Sequence, residues 1–110
     1  MSFDYTEKVD ELTPEQRLRF YEQLAFSLTI SMRATWSNIE LSDAEKVDRM
    51  KCINEIMHRV TAKISVTRLN TREWTDSDIW EMIKGFIAQN HGIRGDVTFA
   101  VISSYEHVTK

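Results

Sequence analysis

The 110-residue chain contains one cysteine, one proline and three glycines. A single cysteine excludes an internal disulfide and suits a reducing compartment. So few prolines and glycines argue against a protein of many short strands and tight turns. The sequence also lacks an apolar run of membrane-spanning length, and its acidic N-terminus lacks the pattern of a signal peptide. We therefore expect a cytoplasmic protein made of long helices joined by few loops.

The recognised catalytic and ligand-binding motifs are missing as well. There is no glycine-rich phosphate loop, no nucleophile elbow, no paired-histidine metal motif and no Cys-x-x-Cys. The serine, cysteine and histidine residues form no recognisable triad arrangement. The sequence therefore predicts that the chain is not an enzyme and holds no cofactor.

The most apolar stretch runs from Leu24 to Trp36 and carries a single charge, at Arg33. At about 100° per residue, a helix through this stretch has two apolar stripes. Alternation with small residues also fits a strand, but the helix-forming run before Leu24 continues into the stretch without a break. The pattern predicts a helix buried on two sides, or one whose second stripe contacts another molecule, such as a second copy of the chain. The main stripe is Leu18, Tyr21, Leu24, Ala25, Leu28, Met32 and Trp36, and the second is Phe26, Ile30 and Ala34.

Two capping boxes predict where the long helices begin. The first, Thr13-Pro14-Glu15-Gln16, starts a helix from about Pro14 to about Ser37. The second, Ser42-Asp43-Ala44-Glu45, starts a helix that we expect to end between Ile64 and Leu69. The short connection between them predicts an antiparallel hairpin.

Two shorter helices are predicted after the hairpin. Thr75 begins the first, which Asn90-His91-Gly92 closes, with Gly92 as the left-handed residue. The second spans Asp96 to His107 with Asp96 as its cap. Alternating apolar residues here also fit a strand, but a lone strand would have no partner.

These elements predict an all-α fold in which two shorter helices cover the antiparallel hairpin of two long helices, giving a four-helix bundle. Residues 1–110 form a single domain, with residues 1–12 as a polar lead-in. Val9 and Leu12 are candidate anchors within that lead-in, together with Phe3 and Tyr5.

The net charge of −3 disfavours general affinity for nucleic acid. However, residues 49–72 hold six bases and one acid. An anion-binding site is therefore an alternative, although such runs are usually solvated faces. Its candidate residues are Arg59, Lys63, Arg68 and Arg72.

A Glu-x-x-His fragment, Glu55 to His58, follows Cys52 at a spacing of three. Di-iron bundles use two such fragments and two further carboxylates, all pointing inward. Here there is one fragment, on the polar side of its helix. We therefore predict that Cys52, Glu55 and His58 bind no metal.

Acidic residues surround two tryptophans at the start of the third predicted helix. Such a surface can receive a basic protein partner, although buried tryptophans beside an acidic first turn explain the same pattern. The candidate partner-binding residues are Glu73, Trp74, Asp76, Asp78, Trp80 and Glu81.

The leading hypothesis from the sequence is a small acidic helical protein that binds another protein, as an inhibitor, immunity factor, adaptor or regulatory subunit. A nucleic-acid-associated regulator that uses the basic end of the second long helix is the alternative. A metal-binding bundle protein comes third.

Overall fold

The computed structural model describes the backbone of residues 6–68, 77–89 and 91–110, and the side chains of 7–65, 79–89 and 91–110. Within these ranges there are five helices and no strand. They are α1 (Thr6–Asp10), α2 (Pro14–Ser37), α3 (Asp43–Arg68), α4 (Ser77–Ala88) and α5 (Arg94–Thr109). The all-α prediction is confirmed, and no helix in the described part of the chain is both long and apolar enough to cross a bilayer.

The two predicted capping boxes form as expected. Thr13 Oγ1 accepts the Gln16 amide at 3.1 Å, and Gln16 Oε1 accepts the Thr13 amide at 3.0 Å. Ser42 and Glu45 exchange the equivalent pair of hydrogen bonds, both at 3.2 Å. Each box satisfies backbone donors that the first helical turn leaves without partners, which fixes where α2 and α3 begin.

The core lies where α2 meets both α3 and α5, while α4 packs on α3. Phe20, Tyr21, Leu24 and Leu28 of α2 are fully buried. At about 100° per residue they span a single arc of roughly 100°. Phe20 packs edge-on against Tyr21, with ring centroids 5.0 Å apart, and its centroid lies 6.4 Å from that of Trp80. One broad face of α2 therefore carries its fully buried side chains.

The prediction that α2 is buried on two sides is wrong. Phe26 is 61% exposed and Ile30 51% exposed, and Ala34 is exposed too. The reason is that the contacts of α2 with α3 and with α5 bury the arc from Phe20 to Leu28, and no described helix covers the second stripe. A hydrogen bond from Gln16 Nε2 to the Val108 carbonyl, at 3.4 Å, is part of the contact between α2 and α5. Helical periodicity identified the second stripe but not whether another helix covers it.

The other predicted boundaries fall close to the observed ones. The helix prediction for residues 96–107 is confirmed, but α5 begins at Arg94, so Asp96 lies in its first turn. The cap residue is Ile93, which makes no side-chain cap hydrogen bond. Gly92 has the expected positive φ, at 75°. The predicted start of α4 at Thr75 lies outside the described residues.

The N-terminal lead-in contains one short helix, α1, that the sequence did not predict. Val9 and Leu12 are buried and anchor α1 on the core, as expected. Arg17 Nη2 also donates to the Asp10 carbonyl at 2.8 Å. Phe3 and Tyr5, the other two candidate anchors, lie outside the described residues.

Candidate partner-binding surface

Exposed large hydrophobic side chains are concentrated on one part of the hairpin. Among the described residues, all of them except Phe99 lie between Phe26 and Val47, in the C-terminal half of α2, the connection to α3 and the first turns of α3. Scattered single exposed apolar residues are normal, whereas large contiguous apolar patches are typical of interaction sites. The members of this cluster are Phe26, Ile30, Trp36, Ile39 and Val47.

A groove of about 640 Å³ opens between α2 and α3 within this region. Met32 and Trp36 stand one turn apart on α2 and line it, and Met50 of α3 faces them. Thr29 Oγ1 donates to the Ala25 carbonyl at 3.0 Å, so the hydroxyl in the lining already has a partner. Most of the groove surface is therefore apolar. Its lining residues are Thr29, Met32, Arg33, Trp36, Ser37 and Met50; together with Phe26, Ile30, Ile39 and Val47 we call them the hairpin surface.

The charges on the groove are positive. Arg33 is the one charged side chain among the described lining residues. Lys46 reaches across from α3, and its Nζ lies 5.9 Å from the centroid of the Trp36 ring. This distance is typical of a cation–π contact, which here keeps an ammonium group beside the exposed indole.

The predicted acidic site around the tryptophans is described only in part. Trp80 is 1% exposed and packs against Phe20, whereas Glu81 is exposed. For Asp78 the structure describes only the backbone. Glu73, Trp74 and Asp76 lie outside the described residues. Trp80 is a core residue in this fold, so it offers a partner no surface to contact.

The basic residues near the end of α3 are also described in part. Arg59 is exposed and Lys63 half-buried, and both have interaction partners within the protein. Arg68 is the last residue of α3, with only its backbone described, and Arg72 lies outside the described residues. The anion-binding alternative stays a prediction.

The fragment Cys52, Glu55 and His58 does not converge. Glu55 and His58 are exposed, whereas Cys52 is buried in the core. Burial raises the pKa of the Cys52 thiol, and the nearby carboxylates of Asp48 and Glu55 add to that effect. The thiol is therefore protonated at neutral pH, and a thiol is a weaker nucleophile than a thiolate.

Sequence reasoning missed the residues that do approach Cys52. They are Asp48, one turn earlier on α3, and His91, from the connection between α4 and α5. The Asp48–Cys52 spacing of four is visible in the sequence and places both residues on one helix face. Nothing in the sequence indicates that His91 joins them.

Comparison with known proteins adds no family to this description. No family model, curated protein or solved structure matches the chain.

Proposed function

We propose that this protein acts by binding another protein, and that the hairpin surface takes up an amphipathic helix of that partner with acidic residues beside its apolar stripe. The observation that carries this proposal is the concentration of exposed apolar side chains between Phe26 and Val47. Trp36 is 64% exposed beside an apolar groove, so most of its side chain contributes no burial to the stability of the monomer. Trp and Arg, both present here, are the residues most enriched among those that dominate interface energies.

The shape of the groove favours a helix as the occupant. Two helices in contact, α2 and α3, form its walls. An amphipathic helix fills such a groove with side chains spaced three and four residues apart. Met32 and Met50 lie on opposite walls, and flexible thioether side chains adapt to the shape of an incoming residue. Trp36 supplies the large, rigid anchor.

The charges favour an acidic partner. Arg33 can pair with a carboxylate through two parallel hydrogen bonds, and Lys46 adds a second positive charge beside Trp36. A second copy of this chain would bring the same two cations to the contact, so charge favours a different protein over the homodimer through Phe26, Ile30 and Ala34. Exposed charges such as Arg33 and Lys46 mainly accelerate association with the partner. Trp36, once the partner covers it, mainly sets the rate of dissociation.

The test is selection from a displayed library of helical peptides. Positions on the apolar stripe vary among apolar residues, and flanking positions vary among Glu, Gln and Lys. We expect the wild-type protein to enrich peptides with Glu flanks. Trp36→Ala should weaken binding of the enriched peptides by at least about tenfold, as for a central aromatic anchor. Phe99→Ala is the matched control, because Phe99 is an exposed aromatic on α5, outside the hairpin surface.

Charge reversal gives the second arm of this test. Arg33→Glu with Lys46→Glu should slow association with the enriched peptides, and added salt should reduce the difference. The same reversal at Arg59 and Lys63 should leave association unchanged.

An absence of enrichment, or equal binding by wild type and Trp36→Ala, would overturn the proposal. So would a wild-type dimer in sedimentation equilibrium that Trp36→Ala converts to a monomer, because a second copy then occupies the surface. Salt-dependent binding of a labelled oligonucleotide, lost on reversal at Arg59 and Lys63, would instead support the nucleic-acid alternative.

A further inference from the structure

Three different metal-ligating side chains meet where the α4–α5 connection crosses α3. The nearest ligand atoms of Asp48, Cys52 and His91 all lie within 4.8 Å of one another. His91 Nδ1 is 2.7 Å from Asp48 Oδ2. Among the described side chains, this is the one group of three or more such residues close enough to hold an ion. It brings together an oxygen, a sulfur and a nitrogen from residues up to 43 positions apart in the sequence.

Local structure positions each of the three. Asp48 and Cys52 are four residues apart on α3, so they share one face. Gly92, at a φ of 75°, turns the chain after His91 so that the connection lies against α3. Phe86 packs edge-on against the imidazole, with ring centroids 5.7 Å apart. The His91 ring is therefore held by packing as well as by its contact with Asp48.

The second nitrogen of His91 also has a partner. Nε2 lies 2.9 Å from Gln89 Oε1, a carbonyl oxygen that accepts a hydrogen bond from Nε2 in the tautomer whose Nδ1 is free to bind an ion. Metal-bound histidines characteristically donate their other ring N–H to an oxygen in this way, which leaves the facing nitrogen to bind the ion. Nδ1 is the nitrogen that faces Asp48.

The donor set and its surroundings favour zinc. Zinc is bound by thiolate, imidazole and carboxylate, whereas magnesium and calcium prefer oxygen ligands alone. With zinc–ligand bonds of about 2.0–2.3 Å, tetrahedral ligand atoms lie roughly 3.3–3.8 Å apart. Zinc uptake therefore requires the 2.7 Å separation of His91 Nδ1 and Asp48 Oδ2 to lengthen by roughly 0.6 Å, and any separation near the 4.8 Å limit to shorten. The side chain of Asp48 is half exposed and can move to accommodate the first change.

Space for a fourth ligand is present. A polar cavity of about 280 Å³ adjoins the cluster, lined by Glu45, Asp48, Arg49, His91 and Gly92. It can admit a water molecule or the Glu45 carboxylate. The positive charge of Arg49 opposes a cation here, but Arg49 also interacts electrostatically with Glu45 and Asp96, which offset it.

We propose that Asp48, Cys52 and His91 form a zinc site that ties the α4–α5 connection to α3. Zinc binds Cys52 as the thiolate, so zinc uptake releases a proton. The ion stabilises the folded chain because the unfolded chain does not hold the three ligands together. The site lies on a different side of α3 from the groove, because Met50 lies roughly 160° around α3 from both Asp48 and Cys52.

The test uses full-length protein, stripped with a chelator under reducing conditions and titrated with zinc or with cobalt as a visible probe. We expect one equivalent of zinc to bind and raise the thermal midpoint, with no such effect from magnesium. Cobalt should give a sulfur-to-metal charge-transfer band, absent in Cys52→Ser. His91→Ala and Asp48→Asn should each weaken zinc affinity by at least about 100-fold, and Gln89→Ala by about tenfold.

The control is Glu55→Gln with His58→Ala, which alters the exposed acid and histidine on the same helix, neither of which is one of the three proposed ligands. This variant should bind zinc like the wild type. If Cys52→Ser fails to fold because its side chain is buried, the more exposed Asp48 and His91 still decide the outcome. The proposal is overturned if His91→Ala still binds zinc like the wild type, or if the Glu55 and His58 variant loses zinc binding. It is also overturned if the wild-type protein takes up no zinc.

Discussion

The guanidinium of Arg49 lies against the α-carbon of Gly92 so closely that a β-carbon on Gly92 would be 2.7 Å from Arg49 Nε. Gly92 also has a φ of 75°, a left-handed conformation that residues with a side chain adopt at a cost. A side chain at this position would displace the flexible end of Arg49 and would also hold a strained backbone conformation.

Gly92→Ala should therefore destabilise the protein by about 1–3 kcal/mol, from the backbone conformation and the displacement of Arg49 together. The measurement is the free energy of unfolding in urea. Gly95→Ala is the control, because Gly95 is helical and a β-carbon there meets nothing within 4 Å. That substitution should be neutral or slightly stabilising. Equal effects of the two substitutions would mean that the connection does not lie against α3.

The capping box at the start of α3 gives a second prediction. Ser42→Ala removes the hydroxyl that accepts the Glu45 amide and should cost about 1 kcal/mol of unfolding free energy. Ser65→Ala is the matched control, an exposed serine inside the same helix and away from its start. If the two variants had the same denaturation midpoint, α3 would not depend on this cap.

The same box makes the stability of α3 depend on pH. The backbone and side-chain hydrogen bonds of Ser42 lower the pKa of Glu45 from its ordinary value of 4.5. A lowered pKa in the folded state means that the ionised form stabilises the fold above pH 4.5, and that this contribution is lost as pH falls through the folded value. The difference in stability between wild type and Glu45→Gln should therefore shrink on acidification. Chemical denaturation of both proteins at neutral pH and below pH 4 measures this difference. A difference that grows on acidification would contradict the lowered pKa of Glu45 in the folded state.

The two stripes of α2 should respond differently to truncation. Leu28 is fully buried, so Leu28→Ala should cost about 2–5 kcal/mol. Phe26 is 61% exposed, so Phe26→Ala should cost less than about 1 kcal/mol. Urea unfolding of both variants tests this contrast at a protein concentration where the chain is monomeric. A large cost for Phe26→Ala in the monomer would mean that the second stripe is covered after all.

Local signals in the sequence predicted the local structure well. The two capping boxes were correct because each depends on residues three apart, whose hydrogen bonds form within one helical turn. Gly92 was correct for the same kind of reason, since the end of a helix needs a left-handed residue nearby. The start of α5 was missed because Ile93 provides no side-chain cap to recognise.

The features that depend on packing could not be predicted in this way. Periodicity showed that Phe26 and Ile30 share a face, but whether another helix covers that face depends on tertiary packing, and here the face is exposed. The proposed metal ligands show the same limit. Asp48 and Cys52 have a helical spacing, whereas His91 reaches them through a contact across 43 positions of sequence.

The burial of Cys52 has an experimental consequence of its own. It is the chain's sole thiol, and only 5% of its surface is accessible. An alkylating reagent can therefore modify it only in molecules whose packing around α3 has transiently opened. When reclosing is faster than alkylation, the ratio of the observed rate to the rate in the unfolded chain gives the equilibrium constant for that opening. Alkylation of the wild-type protein can therefore measure how often its core opens, without an engineered cysteine.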